Sequence, residues 1–314
     1  MENTIPQALL PTKSKFDGKK TEKLRIEYHV IDKCNLNCKG CSHFSNLKST
    51  NKEIPKTYEK IKHDFDKIWQ ITNEGSPDCI EKVTLLGGEP LLFKKLIPTI
   101  DYVKHLFPYN YGEGPLQLVT NGILLPRMKP EFFECLRRNK VEVCLSIYPT
   151  TYTGKKINHQ ELFQILDREI PGQWFWYSAG PERDPDGLDD AMARQEFSGK
   201  WLHSHYNPDY EKYAIDCHWR KTCTHLVDNK IYMCPIIAYW KYFDMEFEGQ
   251  HNFEIKDEDA IHLDRIESFE ELQKEREKVP PFCGYCRGSE AFSDKWGITE
   301  RSISEYVYDG AIGE

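Results

Sequence analysis

Hydrophobic and polar positions follow two alternating periods along the first half of the chain. Residues 24–32, LRIEYHVID, alternate between apolar and polar types, which is typical of a half-buried strand. Residues 56–71 place apolar side chains three and four positions apart, which predicts one apolar helix face. The alternation continues, with predicted strands at residues 24–32, 82–88, 116–122, 141–150 and 174–179, and predicted helices at residues 56–71, 91–107, 130–139 and 158–170. Pro98 predicts a kink in the second helix.

Strands that alternate strictly with helices indicate parallel strands joined by crossover helices, so we predict an α/β fold. In such folds the chemistry lies at the carboxyl ends of the strands. Four predicted strands end in polar or glycine-containing features: a cysteine-rich loop at residues 33–45, Gly87-Gly88-Glu89-Pro90, Thr120-Asn121-Gly122 and Ser146. We therefore expect one functional edge of the sheet.

The pattern changes near residue 180, where a polar stretch interrupts the alternation. Beyond it, residues 224–236 predict a hairpin that turns at Asp228-Asn229, since Asn tolerates the left-handed conformation of such turns. Residues 268–279 predict a helix that starts with a capping box of Ser268 and Glu271. We predict an extension at residues 1–23, an α/β domain at residues 24–205 and a second domain at residues 206–314.

Composition narrows the class of protein. The 314 residues, of which 39% are hydrophobic, can form one large domain or two ordinary ones. A net charge of −8 argues against nucleic acid as the main partner, because phosphate binding needs a basic face. There is no apolar run of about 18 residues, and the first 22 residues lack the pattern of a signal peptide. We expect a cytoplasmic protein without a membrane span, whose thiols stay reduced.

The chain has 11 cysteines, and most are clustered. Cys79, Cys135 and Cys144 are scattered, and the last two lie in apolar patterns that predict buried, small hydrophobic side chains. Because a reducing compartment disfavours disulfides, clustered thiols predict metal ligation. The clustered cysteines are Cys34, Cys38 and Cys41 near the start and Cys217, Cys223, Cys234, Cys283 and Cys286 near the end.

The first cluster has C-x3-C-x2-C spacing directly after the first predicted strand. Three thiolates suit zinc or an iron–sulfur cluster. A structural zinc ion would need a fourth ligand, which His43 could supply. A cluster of four irons held by three cysteines would leave one iron open to another molecule.

Together with Gly87-Gly88-Glu89-Pro90 after the second strand, this loop resembles that of the radical S-adenosylmethionine (SAM) enzymes. The resemblance implies a partial (β/α)6-type TIM barrel in which a [4Fe–4S] cluster binds SAM at its open iron. One electron from the reduced cluster, supplied by a donor such as flavodoxin or ferredoxin, would cleave SAM. The resulting 5′-deoxyadenosyl radical would take a hydrogen atom from a small-molecule substrate.

The resemblance also implies a SAM-binding role for the strand-end residues. Gly87 and Gly88 would let the backbone approach the ligand, and Glu89, followed by Pro90, would accept a hydrogen bond from the SAM ammonium group. The ribose and the methionyl carboxylate would meet strand-end polar side chains, which are otherwise simple turn formers. These side chains are Thr120, Asn121 and Ser146.

One position departs from the family pattern. An aromatic residue usually precedes the third cysteine and lies beside the adenine, but this chain has Gly40 there. His43 or Phe44 could fill that space; the alternatives are a surface histidine and a core phenylalanine.

The five later cysteines resemble the twitch or SPASM-like extension of radical SAM enzymes, which holds an auxiliary [4Fe–4S] cluster. A structural zinc ion with four of the thiols is the alternative. The resemblance selects Cys234, Cys283 and Cys286, while Cys217 and Cys223 compete for the fourth place. It therefore implies a small C-terminal domain of hairpin and helix with a second cluster.

The substrate is not specified by these motifs. We expect a small, polar, carbohydrate-like molecule that is oxidised or epimerised. The aromatic residues of WFWYSA and AYWKYFDMEF could stack on sugar faces or form a core. The alternatives are a maturase of ribosomal peptides and, in a different class, a non-catalytic iron–sulfur interaction protein.

Overall fold

Buried strands and amphipathic helices follow each other in the order that the sequence predicts. A computed structural model describes residues 23–52, 56–108, 116–148, 157–178, 196–287, 292–295 and 297–308. The twelve strands within these residues are β1 (Leu24–Ile31), β2 (Ile80–Gly87), β3 (Leu116–Thr120), β4 (Glu142–Ile147), β5 (Trp174–Ser178), β6 (Glu196–Gly199), β7 (Leu202–His203), β8 (Thr224–Val227), β9 (Lys230–Tyr232), β10 (Ile261–His262), β11 (Phe292–Lys295) and β12 (Val307–Tyr308). The predicted extension at residues 1–23 lies almost wholly outside the described residues.

The α-helices of the described residues are longest where they cross over between parallel strands. They are α1 (Tyr58–Ile71), α2 (Leu96–Leu106), α3 (Pro130–Arg138), α4 (His159–Glu169), α5 (Tyr210–Ala214), α6 (His218–Thr222), α7 (Pro235–Ala238), α8 (Trp240–Glu246) and α9 (Phe269–Glu277). Ser268 caps α9, where its hydroxyl accepts a hydrogen bond from the Glu271 amide at 3.1 Å. No helix within the described ranges combines the length and apolar character needed to cross a membrane.

Helix α2 starts later than predicted and is not kinked by its proline. Residues Pro90–Leu92 form a separate 3₁₀ turn, so the α-helix begins only at Leu96. Pro98 is thus the third helical residue, where a backbone N–H would have no intrahelical acceptor. The proline therefore fits the first turn without breaking a hydrogen bond, and the predicted kink is wrong.

The main sheet has eight strands in the order β10-β9-β8-β1-β2-β3-β4-β5. Strands β1 to β5 are parallel to their neighbours, and β8 joins the other edge of β1 in parallel. The α/β architecture with a parallel sheet is confirmed. The sixth parallel strand comes from the first arm of the predicted hairpin, so this arm extends the sheet of the α/β domain.

The β8–β9 hairpin turns as predicted and is tied to helix α1. Asp228 and Asn229 both have positive φ angles, 53° and 61°, which define the two central residues of a type I′ turn. The Asn229 amide donates to Asp64 Oδ1 at 2.9 Å, and the Tyr28 hydroxyl donates to Asp64 Oδ2 at 2.8 Å. The buried Asp64 carboxylate therefore joins α1 to both the hairpin and β1.

Two hydrophobic clusters cover the two faces of the sheet at β1. On one face Leu24, Ile26 and Tyr28 pack against α1, and the Tyr28 ring lies 4.8 Å from that of Phe65. The alternate side chains of β1, among them Glu27 and His29, therefore lie on the opposite face. An aromatic cluster packs there, built mainly from residues 236–247 together with Phe282 and Tyr306. All five aromatic side chains of AYWKYFDMEF are in this core: Tyr239, Trp240, Tyr242, Phe243 and Phe247.

Replacing Asp64 tests the link between α1 and the hairpin. Asp64→Ala leaves two buried donors without an acceptor, so we expect a loss of about 2–4 kcal/mol in the free energy of unfolding, measured by denaturant titration. Asp64→Asn keeps an acceptor for the Asn229 amide and a partner for the Tyr28 hydroxyl. Its free energy of unfolding should therefore fall much less than that of Asp64→Ala. Glu59→Ala, an exposed change in the first turn of the same helix, is the control.

The same pair of variants gives a pH test. Burial raises the pKa of Asp64, so folding favours its protonated form. Its contribution to stability is fully present below its pKa in the unfolded state, about 3.9. The contribution is lost as the pH rises through its raised pKa in the folded state. Relative to Asp64→Asn, the wild type should lose stability as the pH rises from about 4. Parallel pH profiles for the two proteins would contradict this.

Candidate metal and cofactor site

The cysteine loop begins directly after β1 and is packed on its inner side by apolar groups. Cys38 is buried, and Cys34 and Cys41 are half-buried. Leu36 and Cys38 form a small cluster against which Ile123 and Tyr148 pack. Burial raises the pKa of Tyr148 well above its usual value, and the charges of all three thiols and Glu89 add to the shift. The three thiols therefore lie near one aromatic side chain, that of Tyr148, which directly follows β4.

The two glycines after β2 permit close contact with the backbone that leads into the cysteine loop. A Cβ on Gly87 would lie 2.0 Å from the Ile31 carbonyl oxygen, and one on Gly88 would lie 2.3 Å from the Lys33 carbonyl. The Gly88 amide donates to that Ile31 oxygen at 2.9 Å, and the Glu89 amide donates to the Lys33 oxygen at 3.0 Å. The glycines thus fix the path of the cysteine loop along the end of β2.

Glu89 is fully buried, and its carboxylate joins the ends of two strands. Oε1 accepts from the Thr120 hydroxyl at 2.6 Å and from the Leu91 amide at 3.0 Å, and Oε2 accepts from the Asn121 amide at 2.9 Å. Burial raises the pKa of Glu89 to about 7, which these three donors oppose. Three of roughly four acceptor positions of a carboxylate are used inside the protein. Its observed contacts orient Thr120 and Asn121.

Asn121 extends this network to the cysteine loop. Its Nδ2 group donates to Asn35 Oδ1 at 2.7 Å and lies 4.0 Å from the Cys34 sulfur. Ser146 is half-buried and follows Leu145, which pairs with Thr120 across β3 and β4. The structure therefore brings the predicted strand-end residues of β2, β3 and β4 to one edge beside the first three cysteines. Pro90 lies buried in the turn that follows Glu89.

The segment at residues 297–308 holds the cysteine loop from its other side. Cys38 forms an antiparallel bridge with Ile298, and the Lys39 amide donates to the Gly297 carbonyl at 2.9 Å. Glu305, only 4% exposed, accepts from the Gly40 amide at 3.3 Å and from the Thr299 hydroxyl at 2.7 Å. We call residues 297–308 the C-terminal brace.

The buried side chain of Asn46 also links the cysteine loop to the brace. Its amide nitrogen donates to the Cys38 carbonyl oxygen and to the Tyr306 hydroxyl, both at 2.7 Å. The main-chain carbonyl oxygen of Asn46 accepts a hydrogen bond from Arg301 Nε at 3.0 Å. The side chains of Asn46, Arg301 and Tyr306 therefore add to the backbone contacts between the loop and the brace.

Gly40 and Phe44 explain how the loop differs from the pattern of the resembled family. Gly40 has a φ of 60°, a left-handed conformation that favours glycine over an aromatic residue. Phe44 is fully buried, with its ring 5.3 Å from that of Tyr306 and 5.5 Å from that of Phe243. Because its ring lies in the aromatic core, the structure does not support a cofactor-facing Phe44.

His43 lies at the end of a chain of polar groups. Its Nδ1 lies 2.6 Å from His29 Nε2, and His29 Nδ1 lies 2.8 Å from Asp32 Oδ1. The Tyr242 hydroxyl donates to the other carboxylate oxygen of Asp32. Burial lowers the pKa of both histidines, so the pair is neutral near pH 7. His43 is thus fixed by His29, with one ring nitrogen left for another contact.

The donor set of the first site fits an iron–sulfur cluster better than one zinc ion. Zinc–sulfur bonds of about 2.3 Å place tetrahedral ligands about 3.8 Å apart. Within the described residues, Cys34, Cys38 and Cys41 do not form a group whose sulfurs all lie within 4.8 Å of one another, with or without His43. Three wider-spaced thiols suit a polynuclear cluster.

Four of the later cysteines are linked by their electrostatic effects on one another, and Cys223 also lies beside Glu27. Burial raises the pKa of Cys234 well above its usual value, and the nearby charges of Cys286, Cys283 and Cys217 raise it further. Cys217 lies at the start of α6 and Cys223 at its end, about 9 Å apart along a helix of this length. The Cys223 sulfur lies within 4.8 Å of a carboxylate oxygen of Glu27. The charge of Cys217 raises the pKa values of Cys234 and Cys283, and it also raises that of Cys223.

Two kinds of functional residue were missed by the sequence analysis. The C-terminal brace has no strong periodicity, and its contacts with the cysteine loop span up to 265 positions. Tyr148 lies within the strand predicted at residues 141–150 and directly after the observed β4, so it was a detectable candidate, whereas Glu305 and Asn46 gave no signal.

Comparisons with known proteins support the resemblance over the amino-terminal part. Residues 22–112 match the family described as a 4Fe-4S single cluster domain. A GTP 3′,8-cyclase of Geobacter sulfurreducens is 31% identical over 115 residues, covering 35% of this chain and 30% of the relative. A GTP 3′,8-cyclase of Heliobacterium modesticaldum is 31% identical over 106 residues, covering 34% of this chain and 29% of the relative. The chain thus spans about a third of the length of these curated relatives. The predicted resemblance to radical SAM proteins is confirmed.

A solved structure of BtrN in complex with AdoMet and 2-DOIA is similar over most of both chains. The match covers 92% of this chain and 99% of BtrN, with 12% identity and a TM-score of 0.48.

Removing the Glu305 carboxylate should loosen the cysteine loop. Glu305→Ala deprives three donors of their acceptor: the Gly40 amide, the Thr299 hydroxyl and the Glu300 amide. We expect the free energy of unfolding to fall by about 2–4 kcal/mol, measured by denaturant titration. We also expect a chelator to remove cluster iron faster, measured by the decay of the visible absorbance. Glu300→Ala, an exposed neighbour, is the control. Wild-type iron loss in Glu305→Ala would show that the brace does not hold the loop.

Proposed function

We propose that this chain is a radical SAM enzyme that acts on a small polar substrate. The supporting observation is that the three thiols, the Gly87-Gly88 turn and the Glu89–Thr120–Asn121 network meet at the carboxyl ends of β1 to β3. When bound there, a [4Fe–4S] cluster with SAM would supply a hydrogen-abstracting radical by reductive cleavage. Cys34, Cys38 and Cys41 would hold this cluster.

The strand ends would bind and orient SAM. Gly87 and Gly88 would act indirectly, because the backbone that leads into the cysteine loop fills the space where their side chains would lie. Asn121 and Ser146 lie at neighbouring strand ends and would offer polar contacts. Glu89, with Pro90 and Thr120, would act mainly by fixing these strand ends, because its carboxylate is engaged inside the protein.

A polar layer on the sheet face opposite the helices supports a small polar substrate. Glu27 pairs with Thr84, Thr84 with Gln117, and Gln117 with Glu142 across four parallel strands, so their side chains lie on one face. Gln117 donates to Glu142 at 2.8 Å. Polar groups in a row can exchange hydrogen bonds with a hydroxyl-rich ligand. We therefore propose a carbohydrate-like substrate that is oxidised or epimerised.

A second cluster and a two-part organisation belong to the same proposal. Cys217, Cys234, Cys283 and Cys286 would hold an auxiliary [4Fe–4S] cluster in a second part at residues 206–314, whose strands β8 to β10 continue the sheet of the α/β part at residues 24–205. The mutual electrostatic effect of these thiols supports this assignment. A small donor protein such as flavodoxin or ferredoxin would supply the electron.

SAM cleavage is the direct test of the proposed activity. Anaerobically reconstituted protein, reduced with dithionite and incubated with SAM, should form 5′-deoxyadenosine, measured by liquid chromatography and mass spectrometry. The variant with Cys34, Cys38 and Cys41 all changed to Ala should form none above a protein-free control. If the wild type forms none and SAM does not change the EPR signal of its reduced cluster, the proposal is wrong.

Iron analysis tests the auxiliary cluster separately. Cys283→Ala removes one of four proposed ligands, so the reconstituted variant should lose about four iron and four sulfide ions per chain while it keeps the SAM-dependent EPR change. Cys135→Ala removes a buried thiol of α3 and should lose no iron. Unchanged iron in Cys283→Ala, or zinc in place of iron in the wild type, would contradict a second cluster.

A further inference from the structure

Cys223, His225 and Glu27 form a side-chain cluster outside the two cysteine sites. Cys223 follows α6, His225 lies in β8, and Glu27 pairs with His225 across β1 and β8. Because Glu27 alternates with the helix-facing residues Ile26 and Tyr28, the cluster lies on the face opposite the helices. Among the described residues, these three form a group whose ligand atoms all lie within 4.8 Å of one another.

His225 is the unusual member of this cluster. Its side chain is 0% exposed, and neither ring nitrogen has a hydrogen-bond partner. Its Nδ1 lies 3.6 Å from Glu27 Oε2, beyond ordinary hydrogen-bond length. Leaving a buried imidazole unpaired costs free energy, and such a group in a folded protein calls for a missing partner.

We propose that Glu27, Cys223 and His225 bind one divalent transition-metal ion, with Zn²⁺ as the best fit. A thiolate, an imidazole and a carboxylate are the three side-chain donors that zinc uses, at about 2.3, 2.0–2.1 and 2.0–2.2 Å. Tetrahedral bonds of these lengths place ligand atoms about 3.3–3.8 Å apart. The 3.6 Å separation of His225 Nδ1 and Glu27 Oε2 fits that range.

The charges in the cluster also suit a cation. Burial lowers the pKa of His225 to about 3, so its imidazole is neutral and its lone pair is free. Burial raises the pKa values of Glu27 and Cys223, whose ligand atoms lie within 4.8 Å of each other. On binding, the ion replaces the thiol proton, which goes to solvent, and compensates the carboxylate and thiolate charges.

Three protein ligands leave a fourth tetrahedral position open. Open positions distinguish catalytic zinc sites from closed structural ones. Glu27 belongs to the row of polar side chains that includes Thr84 and Gln117, so the open position would adjoin this row. It would suit an oxygen or nitrogen donor of a bound molecule. The metal site itself does not depend on the proposed SAM chemistry.

Zinc binding to the full holoprotein is the test, with Zn²⁺ alone as the probe. After anaerobic dialysis against Zn²⁺ and a competing chelator, the wild type should hold one zinc per chain in addition to its iron. X-ray absorption at the zinc edge should show one sulfur at about 2.3 Å and nitrogen or oxygen at about 2.0–2.1 Å. Cys223→Ser and His225→Gln should each bind zinc at least about 100-fold more weakly, while they keep wild-type iron content.

The matched control is Cys79→Ala, which removes a buried thiol beside Asn73 and should leave the zinc affinity unchanged. Cys223→Ser is close in size to the wild type and its hydroxyl can still bond Glu27, so weak zinc binding in a folded variant would not reflect lost packing. Three outcomes would overturn the proposal: no zinc in the wild type, a zinc shell of four sulfurs, or loss of iron in Cys223→Ser.

Discussion

A single buried carboxylate, that of Glu89, sets the geometry on which the site depends. Parallel strands end at independent points, and nothing in a sheet ladder fixes the loops that follow them. Glu89 joins the turn after β2 to Thr120 and Asn121 after β3, and Asn121 continues to Asn35 in the cysteine loop. Three segments of the chain thus reach a common arrangement through hydrogen bonds in a largely buried environment, where such bonds are strong and costly to lose.

The cysteine loop is restrained on both sides by backbone rather than by its own turns. The glycine turn after β2 contacts residues 31–33, and the C-terminal brace pairs with residues 37–40. Burial raises the pKa of Cys34 to about 12 and also raises that of Cys41, so the free thiols are protonated near neutral pH. A metal must displace these protons, which couples its binding to the packing of the loop.

Local patterns predicted most of the α/β domain, because its strands and helices are long and periodic. They also predicted which strand ends lie together beside the cysteine loop, since the carboxyl ends of parallel strands share one edge. They could not show that β8 pairs with β1 or that the brace contacts Cys38, because both depend on contacts between distant segments. Phe44 and Glu89 illustrate a further limit. A motif gives the residue type at a position, but not whether its side chain faces the ligand or the core.

The brace also bears on the order of events during synthesis. Gly40 and Glu305 are separated by 265 positions, so the backbone of the cysteine loop meets its partner only after nearly the whole described chain has left the ribosome. Domains whose contacts are local can form while translation continues, but this loop cannot be completed in that way. Insertion of inorganic iron and sulfide would therefore be a late event in the biogenesis of this protein, after the amino-terminal strands have already paired.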